Sequence, residues 1–432
     1  MSTINYKCPA CGSALTYNGA TGKLQCGSCG NEFELDAMEA MSMEQEGNQL
    51  DFTVQAESFT AADEAQMGSY HCKNCGAELI CESTTTATEC PYCGSPIILG
   101  DHIQGGVKPE KVVPFLVPKE RATQMFHDYF KGKKLLPNVF LKTANQIKEM
   151  RKLYVPYWLF DCDAYADIVY NAEKKSTRRE GDYEVTRTEH YIVRRAGSLG
   201  FDSIPVDGST KMDVSIAESL EPYDLNKAVP FQSAVLSGAL ADHADIAAED
   251  CKGRAAERVE NSTDAAMRDT VHGYTSVNVR KRSIRTEGGR ATPVLMPVWM
   301  ITTEKEEKGE RKLYTFAING QSGELTCNVP YARGKYWMWF AIVFAIVMAI
   351  ACGAMAVMDM LESGTLLIGG IVALIAAFIV CSSMAAKLKT AAKQAAAGNY
   401  VRAGSLSLDR KEDRFLYTTT ERRKIEKPAN SK

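Results

Sequence analysis

From Trp337 the chain runs 22 residues to Met358 without a charge, WMWFAIVFAIVMAIACGAMAVM, and after Asp359 and Glu362 a second uncharged run extends from Thr365 to Ala386. Each run is apolar on every face and long enough, as a helix, to span about 30 Å of hydrocarbon. The pattern predicts a transmembrane helical hairpin over 337–386, with spans 337–358 and 365–386. Arg333 and Lys335 precede the first run, Lys387, Lys389 and Lys393 follow the second, and the connecting loop carries only acids. By the positive-inside rule the chain is expected to be a two-pass protein of the cell (inner) membrane with both termini cytoplasmic. Trp337 and Trp339 stand where an interfacial aromatic belt belongs. Neither run holds an Asp, Glu, Lys, Arg or His, so no pore or proton relay is predicted.

Ahead of the hairpin, residues 107–332 alternate between helical and strand-like patterns. Helical spacing covers Pro118 to Lys133, Asn145 to Tyr154 and a polar, Ala- and Glu-rich stretch from Asp245 to Asp269. Strand patterns begin at Val155-Pro-Tyr-Trp158, recur over Glu184 to Arg194 and Val277 to Arg285, and restart at Met296-Pro-Val-Trp299. Lys312 to Cys327 reads as a hairpin through Asn319-Gly320. Both soluble tryptophans stand in an x-Pro-x-Trp setting, compatible with a duplicated α+β half or with two unrelated edge strands. After the spans, a short helix to Gly398 and a strand pair, Ser405 to Leu408 and Arg414 to Thr420, are expected.

The first hundred residues carry different chemistry. Cys8-Pro-Ala-Cys11-Gly12 is followed by Cys26-Gly-Ser-Cys29-Gly30. At an offset of 64 come Cys72-Lys-Asn-Cys75-Gly76 and Cys90-Pro-Tyr-Cys93-Gly94. The ungapped match from Tyr6 to Leu35 predicts an internal repeat. Two thiolates two residues apart grip one ion from a tight turn, and the following glycine permits positive φ. Cys8, Cys11, Cys26 and Cys29, and again Cys72, Cys75, Cys90 and Cys93, would each complete a tetrahedral site suited to Zn²⁺. With four protein ligands such a site is closed and structural. Modules this small need metal to fold. Cys81 and His71 read as bystanders. The segment Met1 to Lys7 lacks an apolar core for a signal peptide, so the 14 cysteines are expected in reducing cytosol, where metal ligation is the better reading.

Charge narrows the partners. The formal net charge of the 432 residues is −3, which gives no whole-chain attraction to nucleic acid. Between Lys23 and Lys73 there is no Lys or Arg and there are ten acids, so a phosphate-binding surface on the cysteine modules is disfavoured. The stretch Asp36 to Ser69, with weak helical character at Leu35 to Met43, reads as an acidic, partly mobile linker. Two basic blocks remain: 107–152 holds eleven Lys/Arg against four Asp/Glu, and 387–432 holds twelve against five. Anionic lipid headgroups are their simplest partner, with nucleic acid as the competitor and a solvated face as the bland alternative. Searches for a Walker A loop, G-x-G-x-x-G, H-E-x-x-H and G-x-S-x-G find nothing. Asp161-Cys162-Asp163 is the one polar cluster that stands out, and a surface position is its simplest reading.

The paired CPxCG-type knuckles, the VPYW and MPVW strands, the FAINGQSGEL hairpin and the terminal apolar hairpin together resemble bacterial membrane-anchored double zinc-ribbon proteins, of transcription-factor-IIB-type ribbon. Some members carry a primosomal replication-restart helicase label. The resemblance implies zinc at the eight cysteines and a membrane anchor. A helicase also needs a phosphate-binding loop, which this sequence lacks.

The expected fold is multidomain: two small β zinc ribbons, an α+β cytoplasmic domain and a two-helix transmembrane hairpin. The expected segments are ribbon 1 at 1–36, an acidic linker at 37–69, ribbon 2 at 70–106, the α+β domain at 107–332, the hairpin at 337–386 and a basic cytoplasmic tail at 387–432. The expected role is a non-catalytic adaptor for a protein partner at the cytoplasmic face. A membrane-tethered nucleic-acid binder is the second reading, and an enzyme with an unrecognised site in the α+β domain is the third.

Overall fold

The computed structural model describes residues 6–42, 52–82, 89–95, 97–99, 106–138, 150–307, 310–357, 363–388 and 390–425. At the N-terminus, β1 (Leu15–Asn18), β2 (Lys23–Cys26) and β3 (Glu32–Glu34) form a three-stranded antiparallel sheet, followed by α1 (Leu35–Ser42). Next come β4 (Phe52–Val54), β5 (Glu57–Ser58) and the one-turn α2 (Ala61–Glu64), capped by Thr60. The second cysteine region holds β6 (Met67–His71), β7 (Glu78–Glu82) and β8 (Ile98–Leu99).

Beyond it lie β9 (Val107–Lys108), β10 (Lys111–Val112), α3 (Lys119–Phe130), β11 (Arg151–Glu180) and β12 (Tyr183–Asp207). The chain continues through α4 (Val214–Ser219), β13 (Val229–Pro230), β14 (Leu240–Asp242) and α5 (Ala248–Asp269). It then forms β15 (Ser276–Glu307), β16 (Glu310–Asn319) and β17 (Leu325–Cys327). Helices α6 (Arg333–Val357) and α7 (Ser363–Ala386) lead to the last strand, β18 (Ser407–Lys424).

A long antiparallel ladder, β15–β11–β12–β18, is the spine of the molecule. Alternation along β11 explains its packing. Trp158, Phe160, Cys162, Ala164, Ala166, Ile168 and Tyr170 all point to one face. They meet Ala248, Cys251, Ala255, Val259 and Met267, which recur every three or four residues along one side of α5. Near the start of β11 both faces are covered, so Val155 to Phe160 are all buried.

The x-Pro-x-Trp strands lie side by side in this ladder, with Trp158 opposite Pro293 and Trp299 opposite Lys152. Each indole N–H donates to the carbonyl of the second residue before a helix: Trp158 to Ile246 before α5, and Trp299 to Val117 before α3, both at 2.9 Å. The order strand–helix–long strand occurs twice, and each short strand pairs in parallel with the long strand of the other unit. β10 lies on β15 and β14 lies on β11.

Several expectations need correction. Arg151 to Tyr154 is strand rather than helix, because it pairs with Pro297 to Met300; residues 145–149 lie outside the described residues. In the segment marked as a linker, β4 pairs with β15 and β5 with β9, so this part is built into sheets; residues 43–51 lie outside the described residues. The expected tail helix is absent from 390–397. That backbone is held instead by Ser219, Arg254, Asn261 and Ser262 side chains of α4 and α5. The expected tail hairpin is one strand, β18, paired along β12 from Tyr183↔Lys424 to Ser198↔Ser407.

Helices α6 and α7 are long and apolar enough to cross a membrane, and α6 has no buried residue. Their bases are not free: Tyr336, Trp339, Met384 and Leu388 pack into the cluster formed by Phe126, Phe130, Trp299 and Phe316.

Candidate metal centres

The four Cys-x-x-Cys-Gly turns share one backbone pattern. The amide of the first cysteine donates to the carbonyl five residues on, and the glycine amide donates back to that cysteine: Gly12 to Cys8 at 2.8 Å, Gly30 to Cys26 at 3.0 Å, Gly76 to Cys72 at 2.8 Å and Gly94 to Cys90 at 2.9 Å. Closing the turn this way demands positive φ, and the glycines take 79°, 72°, 69° and 68° in that order.

Two turns face each other in each cluster. The Sγ atoms of Cys8, Cys11, Cys26 and Cys29 all lie within 4.8 Å of one another, as do those of Cys72, Cys75, Cys90 and Cys93. The closest cross-turn pairs are Cys8–Cys29 at 3.6 Å, Cys11–Cys26 at 3.5 Å, Cys72–Cys93 at 3.5 Å and Cys75–Cys90 at 3.7 Å. A disulfide would need about 2.05 Å. A tetrahedral ion with metal–sulfur bonds of about 2.3 Å sets its sulfurs about 3.8 Å apart. The eight sequence-predicted ligands are therefore brought together as two four-thiolate sets whose spacing suits a metal and is consistent with Zn²⁺. Cys81 and His71 lie outside both sets.

Four crowded thiols cannot ionise alike by themselves. Burial pushes the Cys8 thiol up to about 12, while the Ser13 hydroxyl and backbone hold Cys11 down to about 6. Burial likewise raises Cys75 to about 11; at Cys93 burial opposes, but bonds from Ser95 win and bring it to about 6. A cation would ionise all four, so binding would release protons.

The clusters differ in setting. In the first, Cys11 and Cys29 are exposed. Its module packs Leu24, Phe33 and Met38 on Val169, Ile192 and Leu416 of the spine, and Arg414 bridges Glu34 at 2.8 Å and Asp36 at 3.0 Å. In the second, Cys72, Cys90 and Cys93 are buried, and β7 pairs with β14, so the cluster is part of the large sheet. Tyr92, between Cys90 and Cys93, reaches Asp242 at 2.5 Å, and Lys211 donates to the Cys75 carbonyl at 3.3 Å. Burial pushes Asp242 up to about 6 and raises Asp207 well above the usual carboxylate range. Sequence reasoning missed Tyr92, Asp242, Ser209 and Lys211; the tyrosine inside the CPYC knuckle was the one signal available.

Asp161 and Asp163 are held by arginines. Asp161 accepts from the Ser203 amide at 2.6 Å and lies 3.8 Å from Arg290, and Asp163 accepts from Arg402 at 2.9 Å. Cys162 between them points into the core, where burial pushes its thiol up to about 12. A small apolar hollow between Phe59, Met67, Phe231 and Leu295 carries Asp242 and His243 as its polar lining.

The fold and the clusters define a class: a mixed-sheet protein with two four-cysteine centres near its N-terminus and two apolar helices near its C-terminus. The chain is 36% identical over 338 residues to the uncharacterized protein YdjG of Bacillus subtilis (strain 168), a match covering 78% of this chain and 93% of that protein. It belongs to the YdjG family. No family model matches the chain, and no solved structure matches it.

Proposed function

We propose that the chain is a two-pass membrane protein with Zn²⁺ in both cysteine clusters, whose sheet domain is a non-catalytic scaffold holding a protein partner at the cytoplasmic face. The observation that carries this reading is the shared core at the helix bases. Tyr336, Trp339, Met384 and Leu388 pack with Phe126, Phe130 and Trp299, so sheet and hairpin would move as one body on the bilayer. Closed four-thiolate sites hold shape rather than bind substrate. The basic flanks of the two helices favour the cytoplasmic side for the domain, and the twin turns fit a duplicated module.

Nucleic acid is the weaker reading. Within the basic block 107–152, Lys108 pairs with Asp63, Lys111 with Glu110 and Arg151 with Glu89, while Lys152 sits over Phe115 and Trp299. Crosslinking in cells followed by gentle solubilisation tests the scaffold reading. Repeated recovery of the same protein with the intact chain, lost on Cys72→Ser, is the expected result. Absence of any reproducible partner, or tight salt-dependent DNA binding by the solubilised chain, would overturn it.

A further inference from the structure

We propose that the cations ringing the bases of α6 and α7 form a docking shelf for the headgroups of anionic phospholipids. The inference rests on the membrane reading above and adds which lipids the protein selects and with which residues.

The shelf is built from Lys131, Lys133 and Lys134 after α3, Arg333 and Lys335 at the start of α6, and Lys387 just past α7. Among the described residues none of the six has a carboxylate within ion-pair distance. In the sheet domain Arg194, Arg254, Arg258, Arg282, Arg402 and Arg414 are each paired with Asp or Glu, while Lys211, Arg268, Arg280 and Lys281 are without an ion pair among the described residues. What sets the six apart is their place at the helix bases. Asp128 on α3 accepts instead from Gln124 at 3.1 Å.

The loop is fixed against both helix ends by contacts that leave positive charge over. Lys335 Nζ donates to the Leu136 carbonyl at 2.7 Å, and Lys133 Nζ donates to the Lys387 carbonyl at 2.7 Å. Lys133 also lies 3.0 Å above the Tyr129 ring, and Lys134 lies 4.1 Å above the Trp339 ring. Burial lowers the Lys133 pKa to about 8, with the Cys327 thiol opposing, the behaviour of a partly desolvated ammonium that has no carboxylate beside it. A phosphate beside it would favour the charged form and raise the pKa again. Trp337, 65% exposed, and Trp339 mark the same level on α6. Cations at the roots of two bare apolar helices meet lipid headgroups first. A nucleic acid would have to lie flat on the bilayer to reach them.

The test uses the full chain reconstituted in phosphatidylcholine vesicles doped with brominated phosphatidylglycerol or brominated phosphatidylcholine. Trp158 and Trp299 are 2% exposed, so bromine quenching reports on Trp337 and Trp339. The expected result is an association preference for the anionic lipid of about fivefold, the effect of one well-placed cation. The preference should fall toward one in the Lys131→Gln, Lys134→Gln, Lys387→Gln variant. Raising salt to about 0.5 M should lower it as well, without any substitution. Equal quenching by both lipids overturns the inference and leaves the membrane reading standing. No quenching by either, with the chain extracted at alkaline pH, overturns both. Loss of the preference on adding a short DNA duplex reassigns the shelf to nucleic acid and also overturns it.

Discussion

Tyr92, set between two thiols of the second cysteine cluster, donates its hydroxyl to Asp242 Oδ2 at 2.5 Å, a contact that joins positions 150 apart. Asp242 also accepts from Ser209 Oγ at 2.5 Å and from the His243 amide at 3.0 Å. Both partners are buried, so removing one leaves the other short of a bond it cannot replace from water. Tyr92→Phe is expected to destabilise the full chain by about 1–3 kcal/mol. Thermal unfolding of the purified protein in detergent reads this directly, and an unchanged midpoint would show that the contact contributes nothing.

The same carboxylate carries a pH signature. Burial raises the Asp242 pKa to about 6, although its bonds to Ser209 and Tyr92 work the other way. An unfolded Asp titrates near 3.9. The folded state therefore holds this proton more tightly. The stability it contributes is complete below about pH 4 and is lost as pH rises through about 6. Asp242→Asn keeps an acceptor for Tyr92 and Ser209 and has no proton to lose. Relative to wild type it should gain about 1.3 kcal/mol between pH 5 and pH 7. Paired denaturation series at saturating zinc check the slope, and a constant difference across that range would refute it.

Metal analysis of the full chain should return about two zinc ions per molecule, and Cys8→Ser and Cys72→Ser should each remove one. The settings predict unequal consequences. The first cluster presents Cys11 and Cys29 to solvent, whereas the second buries Cys72, Cys90 and Cys93 within the large sheet. A chelator should strip the first site faster. Cys72→Ser should also expose the spine to protease, while Cys8→Ser should leave it resistant. Release at equal rates with a colorimetric chelator would contradict the burial difference.

What could be read in the sequence was local. The thiol sets follow from spacings of two and fourteen residues, the apolar helices from composition, and α3 and α5 from periodicity. What could not be read was pairing at long range. β18 carries DRKEDR near its start, which mimics a turn, yet β12 supplies partners along its length more than two hundred residues away. Arg151 to Tyr154 had helical spacing, and the ladder to Pro297–Met300 overrode it. The docking of the second cluster depends on Tyr92 meeting Asp242, and nothing near Tyr92 in sequence marks that partner.

Arg258 and Glu221 form a buried ion pair, with side chains 1% and 2% exposed and Nη2–Oε2 at 2.6 Å. Tyr400 adds a hydroxyl to the same carboxylate at 2.9 Å, which ties the segment after α7 to α5. Removing the arginine strands a buried carboxylate. Arg258→Ala is expected to cost about 3–5 kcal/mol. Arg258→Met combined with Glu221→Gln should recover much of that, since no unpaired charge is then left buried. A double variant no better than the single one would mean that Arg258 acts through packing alone.

The attachment of β18 can be tested at Gly197. A Cβ there would fall 2.0 Å from the Ser407 carbonyl oxygen and 2.9 Å from Leu408 Cα, at a register shift between β12 and β18. The nearest atoms are all backbone of β18, so no rotamer change relieves the clash. Gly197→Ala should therefore lift the start of β18 from β12, at about 1–3 kcal/mol. Because Leu416 packs under the first cysteine module and Arg414 bridges to Glu34 and Asp36, that module should loosen with it. Limited trypsin digestion is the readout, since Arg410, Lys411, Arg414 and Arg422 lie in β18. Wild type should resist, and the variant should lose its C-terminal strand and release zinc from the first site sooner. Gly398→Ala, where an added Cβ meets nothing within 4 Å, is the control that should behave as wild type. If both variants resist trypsin equally, the pairing of β12 with β18 at Gly197 is not the constraint that holds the tail.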